Sequence, residues 1–185
     1  MRIIGGAFGG RRIAAPAGRG ARPTTDRVRE ALFSILIARD DVELEGARVV
    51  DLFAGSGALG LEAISRGAAF CLFVETDAAA RGAIRDNIEA LGLFGRARLH
   101  RRSATALGAK PAGVGPPFDL AFLDPPYGRG LVEPALAALR DGDWLAAEAL
   151  AVVERPKSEA ETASGFEALD RRVYGDTAID IVRPA

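Results

Sequence analysis

The sequence predicts an α/β fold in which a mostly parallel sheet is covered by helices on both faces. From residue 46 onwards, short apolar runs alternate with longer segments whose apolar residues recur at helical spacing. A glycine-rich turn follows the first apolar run, and two consecutive prolines, Pro125 and Pro126, stop a later one. In open α/β sheets, turns of this kind at strand ends form the edge at which ligands bind.

An amino-terminal extension, residues 1–45, precedes the main domain, residues 46–185. The extension begins with isoleucines around two glycine pairs, which predicts a small β-hairpin. It continues with a helix that Thr24, Thr25 or Asp26 can cap, and the apolar face of this helix predicts docking on the main domain. In the main domain the predicted strands are 48–52, 70–75, 97–101, 118–123 and 149–154, the predicted helices are 59–65, 77–91 and 132–139, and a terminal hairpin spans 166–182.

Composition limits the classes of protein to consider. Of the 185 residues, 49% are apolar and 26% are charged, which is typical of a globular chain. No apolar run is long enough to cross a bilayer and no signal peptide opens the chain, so we expect a cytoplasmic protein without membrane contact. The single cysteine, Cys71, and the single histidine, His100, fall in predicted strands and are expected to be structural. They provide neither a Cys/His metal site nor a Ser/His/Asp triad, so no metal is predicted.

Charge is distributed unevenly along the chain. The net charge is only −1, yet residues 1–30 carry seven arginines against two acids, and the remainder is acidic. A basic arm on an acidic body suggests phosphate contacts, whereas the alternative is a solvated arginine-rich end. The candidate phosphate-binding residues are Arg2, Arg11, Arg12, Arg22, Arg27 and Arg29.

The glycine turn after the first predicted strand fits the pattern G-x-G-x-x-G at Gly55, Gly57 and Gly60. Glycines permit a tight turn and close approach of a ligand to the backbone, and a turn that only packs a helix on a strand is the alternative. Glu75 lies 20 residues beyond Gly55 at a strand end, where an acid commonly accepts hydrogen bonds from ribose hydroxyls. The combination indicates an adenosine-containing cofactor, either NAD or S-adenosylmethionine.

The turn formed by residues 124–127, Asp-Pro-Pro-Tyr, favours S-adenosylmethionine. It brings a carboxylate, rigid backbone carbonyls and an aromatic ring to a strand end, a set suited to holding a flat base that carries an amine. The sulfonium of S-adenosylmethionine already activates its methyl group, so the enzyme mainly aligns the acceptor. NAD chemistry usually needs a proton donor or acceptor near the substrate, and it tends to need a substrate domain, for which the main domain of about 140 residues leaves little room. With S-adenosylmethionine, we expect Asp51 to face the positively charged methionine end.

Three segments carry a resemblance to a known family: residues 1–6 (MRIIGG), 22–33 (RPTTDRVREALF) and 51–63 (DLFAGSGALGLEA). They resemble the RsmD family, bacterial class I methyltransferases that act on guanine N2 in 16S ribosomal RNA. The resemblance runs to about residue 127 and continues weakly to the end. It implies a Rossmann-like fold with a seven-stranded, mostly parallel sheet whose last strand is antiparallel. It also implies S-adenosylmethionine as cofactor and 16S ribosomal RNA, free or within the small ribosomal subunit, as the partner of a monomeric enzyme.

The resemblance also assigns cofactor contacts to the glycine turn, to the acid after the second strand and to the segment after the third. The implied cofactor-binding residues are Asp51, Phe53, Ala54, Gly55, Gly57, Leu59, Glu75, Thr76, Ser103 and Ala104. In many relatives the last segment has an aspartate followed by alanine, with the aspartate near the adenine amine. This chain has Ser103 at that position, so its hydroxyl or backbone is expected to substitute.

For catalysis, we hypothesise that the Asp124 carboxylate and the Pro125 carbonyl each accept one N–H of the guanine amine, and that Tyr127 stacks on the base. The alternative for the turn is a capping aspartate beside a packed tyrosine. Other acceptors that the same turn permits are an adenine amine in RNA or DNA and a protein glutamine. Outside methyl transfer, the alternatives are an NAD-dependent oxidoreductase and a noncatalytic RNA-binding module.

Overall fold

The computed structural model describes residues 1–16, 25–159 and 164–185. Within these ranges the chain forms seven strands and four α-helices. The strands are β1 (Arg48–Leu52), β2 (Phe70–Val74), β3 (Ala97–His100), β4 (Phe118–Leu123), β5 (Leu145–Pro156), β6 (Phe166–Tyr174) and β7 (Thr177–Pro184), and the helices are α1 (Asp26–Ile37), α2 (Ala58–Ser65), α3 (Ala78–Ala90) and α4 (Val132–Asp141).

All seven strands belong to one mixed sheet in the order β3-β2-β1-β4-β5-β7-β6. The first five are parallel, with β1 lying between β2 and β4. β7 inserts antiparallel between β5 and β6. The Rossmann-like α/β fold and the antiparallel last strand that the sequence analysis predicts are therefore confirmed.

The strands begin at the predicted residues except for β5. This strand starts at Leu145 rather than at residue 149. Residues 145–148, which the sequence does not predict as strand, are at least partly exposed. The register of the β4–β5 pairing also shifts between Phe118 and Leu120. The sequence prediction rests on apolar runs, so a strand segment exposed to solvent beside an irregular pairing gives no such signal.

The amino-terminal hairpin is reduced to a short bridge. Arg2 and Arg12 form an isolated antiparallel bridge, and the Ile3 N–H donates to the Arg11 carbonyl at 3.0 Å. The connection contains one 3-10 turn, Gly6–Phe8. The two segments are antiparallel as the predicted hairpin requires, but the prediction overestimates the length of strand that forms around the two glycine pairs.

The extension packs on the main domain and shares its core. Neighbouring residues of β1, Val49 and Val50, belong to different apolar clusters because successive strand residues face opposite sides of a sheet. Ile3, Ile13 and Phe33 of the extension lie in the same cluster as Val49. The predicted docking of α1 is confirmed, and the extension covers part of one sheet face.

Three further observations concern the described residues. The Thr25 Oγ1 accepts the Val28 N–H at 3.3 Å, so the predicted capping of α1 is confirmed. No helix in the described ranges is long and apolar enough to cross a membrane. In the same ranges, no group of three or more His, Cys, Asp or Glu side chains is placed to hold a metal ion.

Candidate active site

The candidate active site lies where the central parallel strands end. Leu52, the last residue of β1, pairs with Val74 of β2 and with Leu123 of β4. The residues that follow these strands are therefore level with one another at the carboxyl edge of the sheet. Glu75 and Asp124 are two of them, and the predicted cofactor and acceptor segments meet here.

Asp51 is the buried acid of this edge. Its side chain is only 1% exposed, and its Oδ2 accepts the Gly60 N–H at 3.0 Å. Burial raises the pKa of Asp51 well above its usual value, and the negative charges of Asp124 and Glu75 raise it further. Three carboxyl groups near enough to affect one another favour a bound cation, which fits the sulfonium and amino groups of S-adenosylmethionine.

The glycine turn adopts a backbone that few residue types accept. Gly55 and Gly57 have positive φ angles of 58° and 80°, and Phe53 has one of 59°. A Cβ added at Gly57 would lie 3.1 Å from the ring of Phe73. The turn therefore requires glycine both for its φ angles and for close packing, so the predicted alternative role in helix–strand packing is also present.

Glu75 holds the glycine turn in place. Its Oε2 accepts the Gly55 N–H at 2.9 Å and its Oε1 accepts the Asp77 N–H at 2.8 Å. Each carboxylate oxygen has two lone pairs, so both oxygens retain capacity for a further donor. Glu75 can support the turn and still accept a hydrogen bond from a ligand hydroxyl.

The other predicted cofactor residues lie around this turn. Ala54 is nearly buried and its N–H donates to the Val74 carbonyl at 3.2 Å, whereas Leu59 packs in the core from α2. Thr76 is exposed, and its carbonyl accepts a hydrogen bond from the Arg81 guanidinium.

The segment after β3 is joined to the site through the backbone. The Glu75 N–H donates to the His100 carbonyl at 3.1 Å. Ser103 is exposed and its Oγ lies 2.9 Å from the Thr105 Oγ1, while Ala104 is buried. Ser103 therefore presents a hydroxyl after β3, and that hydroxyl already has a partner in Thr105.

The 124–127 turn follows β4 as predicted, and its tyrosine is anchored through the hydroxyl. The Tyr127 Oη donates to the Glu154 Oε1 at 3.2 Å and lies 3.1 Å from the Thr177 Oγ1. Desolvation, opposed by the Thr177 hydrogen bond, raises the pKa of Tyr127 to about 12, so the phenol is neutral at physiological pH. Pro125 is buried, whereas the Tyr127 side chain remains 38% exposed beside a shallow cleft that Pro125 and Pro156 help to line.

The predicted phosphate-binding arginines do not all reach the surface. Arg2, Arg11, Arg12 and Arg27 are exposed. Arg29 is only 1% exposed and donates to the Asp26 carboxylate and the Arg2 carbonyl, both at 2.7 Å. The prediction for Arg29 is wrong, because this side chain is buried in the packing of α1 on the arm. Arg22 lies outside the described residues.

Two buried polar side chains connect the arm to the site, and neither is predicted from the sequence. Asn87 donates to the Ala14 and Ser56 carbonyls, each at 3.0 Å. Glu62 accepts the Ile4 and Gly5 N–H groups at 2.7 and 2.9 Å. Isolated polar residues in a helix give no sequence signal for this role, since most of them face solvent.

Comparisons with known proteins agree with this geometry. The family model described as "Conserved hypothetical protein 95" matches residues 1–183. Ribosomal RNA small subunit methyltransferase D from Escherichia coli K12 is 44% identical over 154 residues, which cover 83% of this chain and 74% of that protein. The protein of the same name from Haemophilus influenzae is 36% identical over 160 residues, covering 86% and 80%. The solved structure of yhhF from Escherichia coli is 39% identical with a TM-score of 0.85, covering 100% of this chain and 97% of that one.

Proposed function

Because the chain belongs to the RsmD family, whose model is described as conserved hypothetical protein 95, and is therefore a methyltransferase, we propose that it methylates guanine N2 in 16S ribosomal RNA. The proposed methyl donor is S-adenosylmethionine. The observation that carries the proposal is the convergence of Asp51, Glu75 and Asp124 at the ends of three adjacent parallel strands. We further propose that the enzyme acts as a monomer in the cytoplasm.

The acidic groups of the site suit the proposed cofactor. When bound, S-adenosylmethionine supplies a methyl group on a positively charged sulfur. The raised pKa of Asp51 means that its ionised form is disfavoured by burial and by its acidic neighbours. A cation placed among these groups relieves that repulsion, so Asp51 contributes binding free energy for a positively charged ligand. Glu75 is the proposed acceptor for the ribose hydroxyls.

The proposed acceptor site uses the turn after β4. The amine of guanine is a poor nucleophile because its lone pair is delocalised into the ring. We assign one N–H of this amine to the Asp124 carboxylate and the other to the Pro125 carbonyl. These two acceptors orient the nitrogen, and the carboxylate stabilises the positive charge that develops on it and takes up the proton that the amine loses.

Tyr127 is the proposed stacking partner of the base. Its hydroxyl is bound by Glu154 and Thr177, which restricts the ring to the cleft side of the turn. An anchored aromatic ring loses little conformational entropy when a base stacks on it. The target nucleotide must be unpaired or extruded for its amine to reach Asp124.

The direct test is methyl transfer by an Asp124→Ala variant on 16S ribosomal RNA purified from cells that lack the protein. We expect turnover to fall by about 10²–10³-fold, as when a preorganised charge-stabilising group is removed. The affinity for S-adenosylhomocysteine should change much less. An Asp141→Ala variant, which removes an exposed acid of α4, is the matched control and should keep wild-type turnover.

Turnover close to wild type in Asp124→Ala would remove the proposed role of this residue. Mass spectrometry of the nucleosides identifies the acceptor, because N2-methylguanosine and methylated adenosine are separate products. A methylated adenine would contradict the guanine assignment. Stabilisation by NAD but not by S-adenosylhomocysteine in a thermal-shift experiment would contradict the proposed cofactor.

A further inference from the structure

One long segment of the chain contains no acidic residue, and no role in the proposed chemistry accounts for this. Residues 90–118 contain neither aspartate nor glutamate, but they contain four arginines and a lysine. The acids of the chain are concentrated elsewhere, because the molecule as a whole has a net charge of −1. A segment of this composition gives the surface a local positive potential.

The fold places this segment at the border of the sheet. β3 is the terminal strand of the seven, so among the described residues no strand lies on one side of it. We name the exposed side chains along it the β3 edge surface. Its members are Phe94, Arg96, Arg98, Arg101 and Arg102, all of which are exposed.

Phe94 is the unusual member of this surface. It is 73% exposed, more than any other large apolar side chain among the described residues. It lies in the turn before β3 and forms an isolated bridge with Ala97 through the backbone, so its position is fixed while its ring faces solvent. An exposed aromatic ring among arginines is typical of surfaces that stack unpaired bases and bind the phosphates beside them.

Hydrogen bonds within the protein hold Arg98 and Arg102 in place but use only part of the donor capacity of each guanidinium. Arg98 donates one Nη1 hydrogen bond to the Gly113 carbonyl at 2.8 Å, and Arg102 donates one to the Leu107 carbonyl at 2.6 Å. A guanidinium has five N–H donors, so both side chains can be held in place and still bind an anion. Burial lowers the pKa of His100, and the positive charges of Arg102 and Arg98 lower it further, as expected in a positive field.

We infer that the β3 edge surface is a second RNA-binding surface, separate from the amino-terminal arm, on which Phe94 stacks an unpaired base and the arginines bind the adjoining phosphates. The inference rests on the proposed function. The part of this surface that follows β3, Arg101 and Arg102, is near the candidate active site, because the preceding His100 carbonyl accepts the Glu75 N–H. RNA that enters the site can therefore extend along this edge. An acidic protein surface would be attracted to the charge but would not explain the exposed ring.

The test compares two double variants on opposite edges of the sheet. Phe94→Ala/Arg101→Gln alters the β3 edge surface. Val173→Ala/Arg172→Gln is the matched control on β6, the other terminal strand, where Val173 is 54% exposed and Arg172 is also exposed. Each pair removes one exposed apolar side chain and one positive charge, so a general charge effect would be equal in both.

The measured quantities are the dissociation constant for deproteinised 16S ribosomal RNA at several salt concentrations and that for S-adenosylhomocysteine. For the β3 edge variant we expect RNA binding at least about fivefold weaker, from the loss of one stacked base. We also expect a salt slope smaller by about 0.7, from the loss of one phosphate contact. The control should bind RNA as wild type does, and both variants should keep their affinity for S-adenosylhomocysteine.

The inference is overturned if the two double variants bind RNA equally well. It is also overturned if the β3 edge variant keeps its affinity for naked RNA and loses methyl transfer only on intact small subunits, since the partner would then be a ribosomal protein. Failure of the proposed function looks different, because the wild-type protein itself would then methylate neither free 16S ribosomal RNA nor intact small subunits.

Discussion

A single buried carboxyl group, Asp51, determines much of the electrostatics of the candidate active site. One hydrogen bond from the Gly60 N–H stabilises its ionised form, while burial and two neighbouring acids oppose ionisation. Without a bound cation, this arrangement costs free energy. The residue is therefore better suited to ligand binding than to stability.

The first residue-level prediction concerns Asp51→Asn. Asparagine keeps an oxygen that can accept the Gly60 N–H but carries no charge, so the melting temperature at neutral pH should rise above that of wild type. Affinity for S-adenosylhomocysteine, whose amino group is positively charged, should fall by about tenfold or more through loss of a charge-assisted contact. Calorimetric thermal unfolding and titration calorimetry measure the two effects.

The pH dependence of the difference in stability between wild type and Asp51→Asn follows from the raised pKa of Asp51. Between the ordinary carboxyl pKa of about 3.9 and the raised value, the folded protein retains a proton that the unfolded chain has released. Wild type therefore loses stability as the pH rises through that window, and Asp51→Asn does not. The advantage of the variant should grow with pH and then level off. A variant less stable than wild type at every pH would contradict this assignment.

At the level of residues, the sequence predicts those whose role is local and misses those whose role depends on tertiary contacts. The glycine turn and Glu75 are found because positive φ angles and strand ends leave a pattern in the sequence. Arg29 is placed on the wrong surface because an arginine among other arginines does not reveal that α1 packs it against Asp26. Asn87 and Glu62 are missed because their partners are backbone groups of the distant arm.

At the level of elements, α2 packs unusually close to the sheet. A Cβ added at Gly60 would lie 2.5 Å from both the Cys71 Sγ and the Phe73 Cε1. Gly60 in α2 is thus required by the space between helix and strand. Gly82 in α3 is different, because no atom of the part of the chain that the structure describes lies within 4 Å of a Cβ added there.

We predict that replacing these two glycines by alanine changes the free energy of unfolding in opposite directions. Gly60→Ala should lower the free energy of unfolding by about 1–3 kcal/mol, because the added methyl group overpacks the core. Gly82→Ala should raise it by about 0.5–1 kcal/mol, because alanine restricts the unfolded chain and fits the helix. Urea unfolding monitored by circular dichroism measures both, and effects of the same sign would contradict the packing described for α2.

The elements themselves are predicted well wherever they are apolar. Buried strands such as β1 and β4 have continuous apolar runs, and their starts are found without error. The beginning of β5 is partly exposed and lies at an irregular pairing, so its pattern is that of a loop. The order of the strands in the sheet is not predicted, because pairing between segments that are distant in the chain leaves no local signal in the sequence.

At the level of the whole molecule, two surfaces expose several arginines each. One is the arm, where Arg2, Arg11 and Arg12 are exposed, and the other is the β3 edge surface. The Arg11 Nη2 donates to the Ala90 carbonyl at 2.7 Å, so the arm is fixed against the end of α3. We propose that the arm binds the RNA backbone from this fixed position.

We predict that neutralising two arginines of the arm changes the salt dependence of RNA binding. Arg11→Gln/Arg12→Gln should reduce the slope of log affinity against log salt concentration by about 1.4, since each phosphate contact on single-stranded RNA contributes about 0.7. Arg140→Gln/Arg172→Gln removes the same charge from other exposed sites and is the control. Filter binding at several salt concentrations measures the slopes, and an unchanged slope would exclude the arm as an RNA-binding clamp.

The insertion of β7 between β5 and β6 determines when synthesis of this protein can give a finished fold. β6 is made before β7 but reaches the sheet only through it. Until β7 has left the ribosome and paired with β5, β6 has no strand of the main sheet to join. The nascent sheet therefore gains its last two strands together, and a change that detaches β7 also detaches β6.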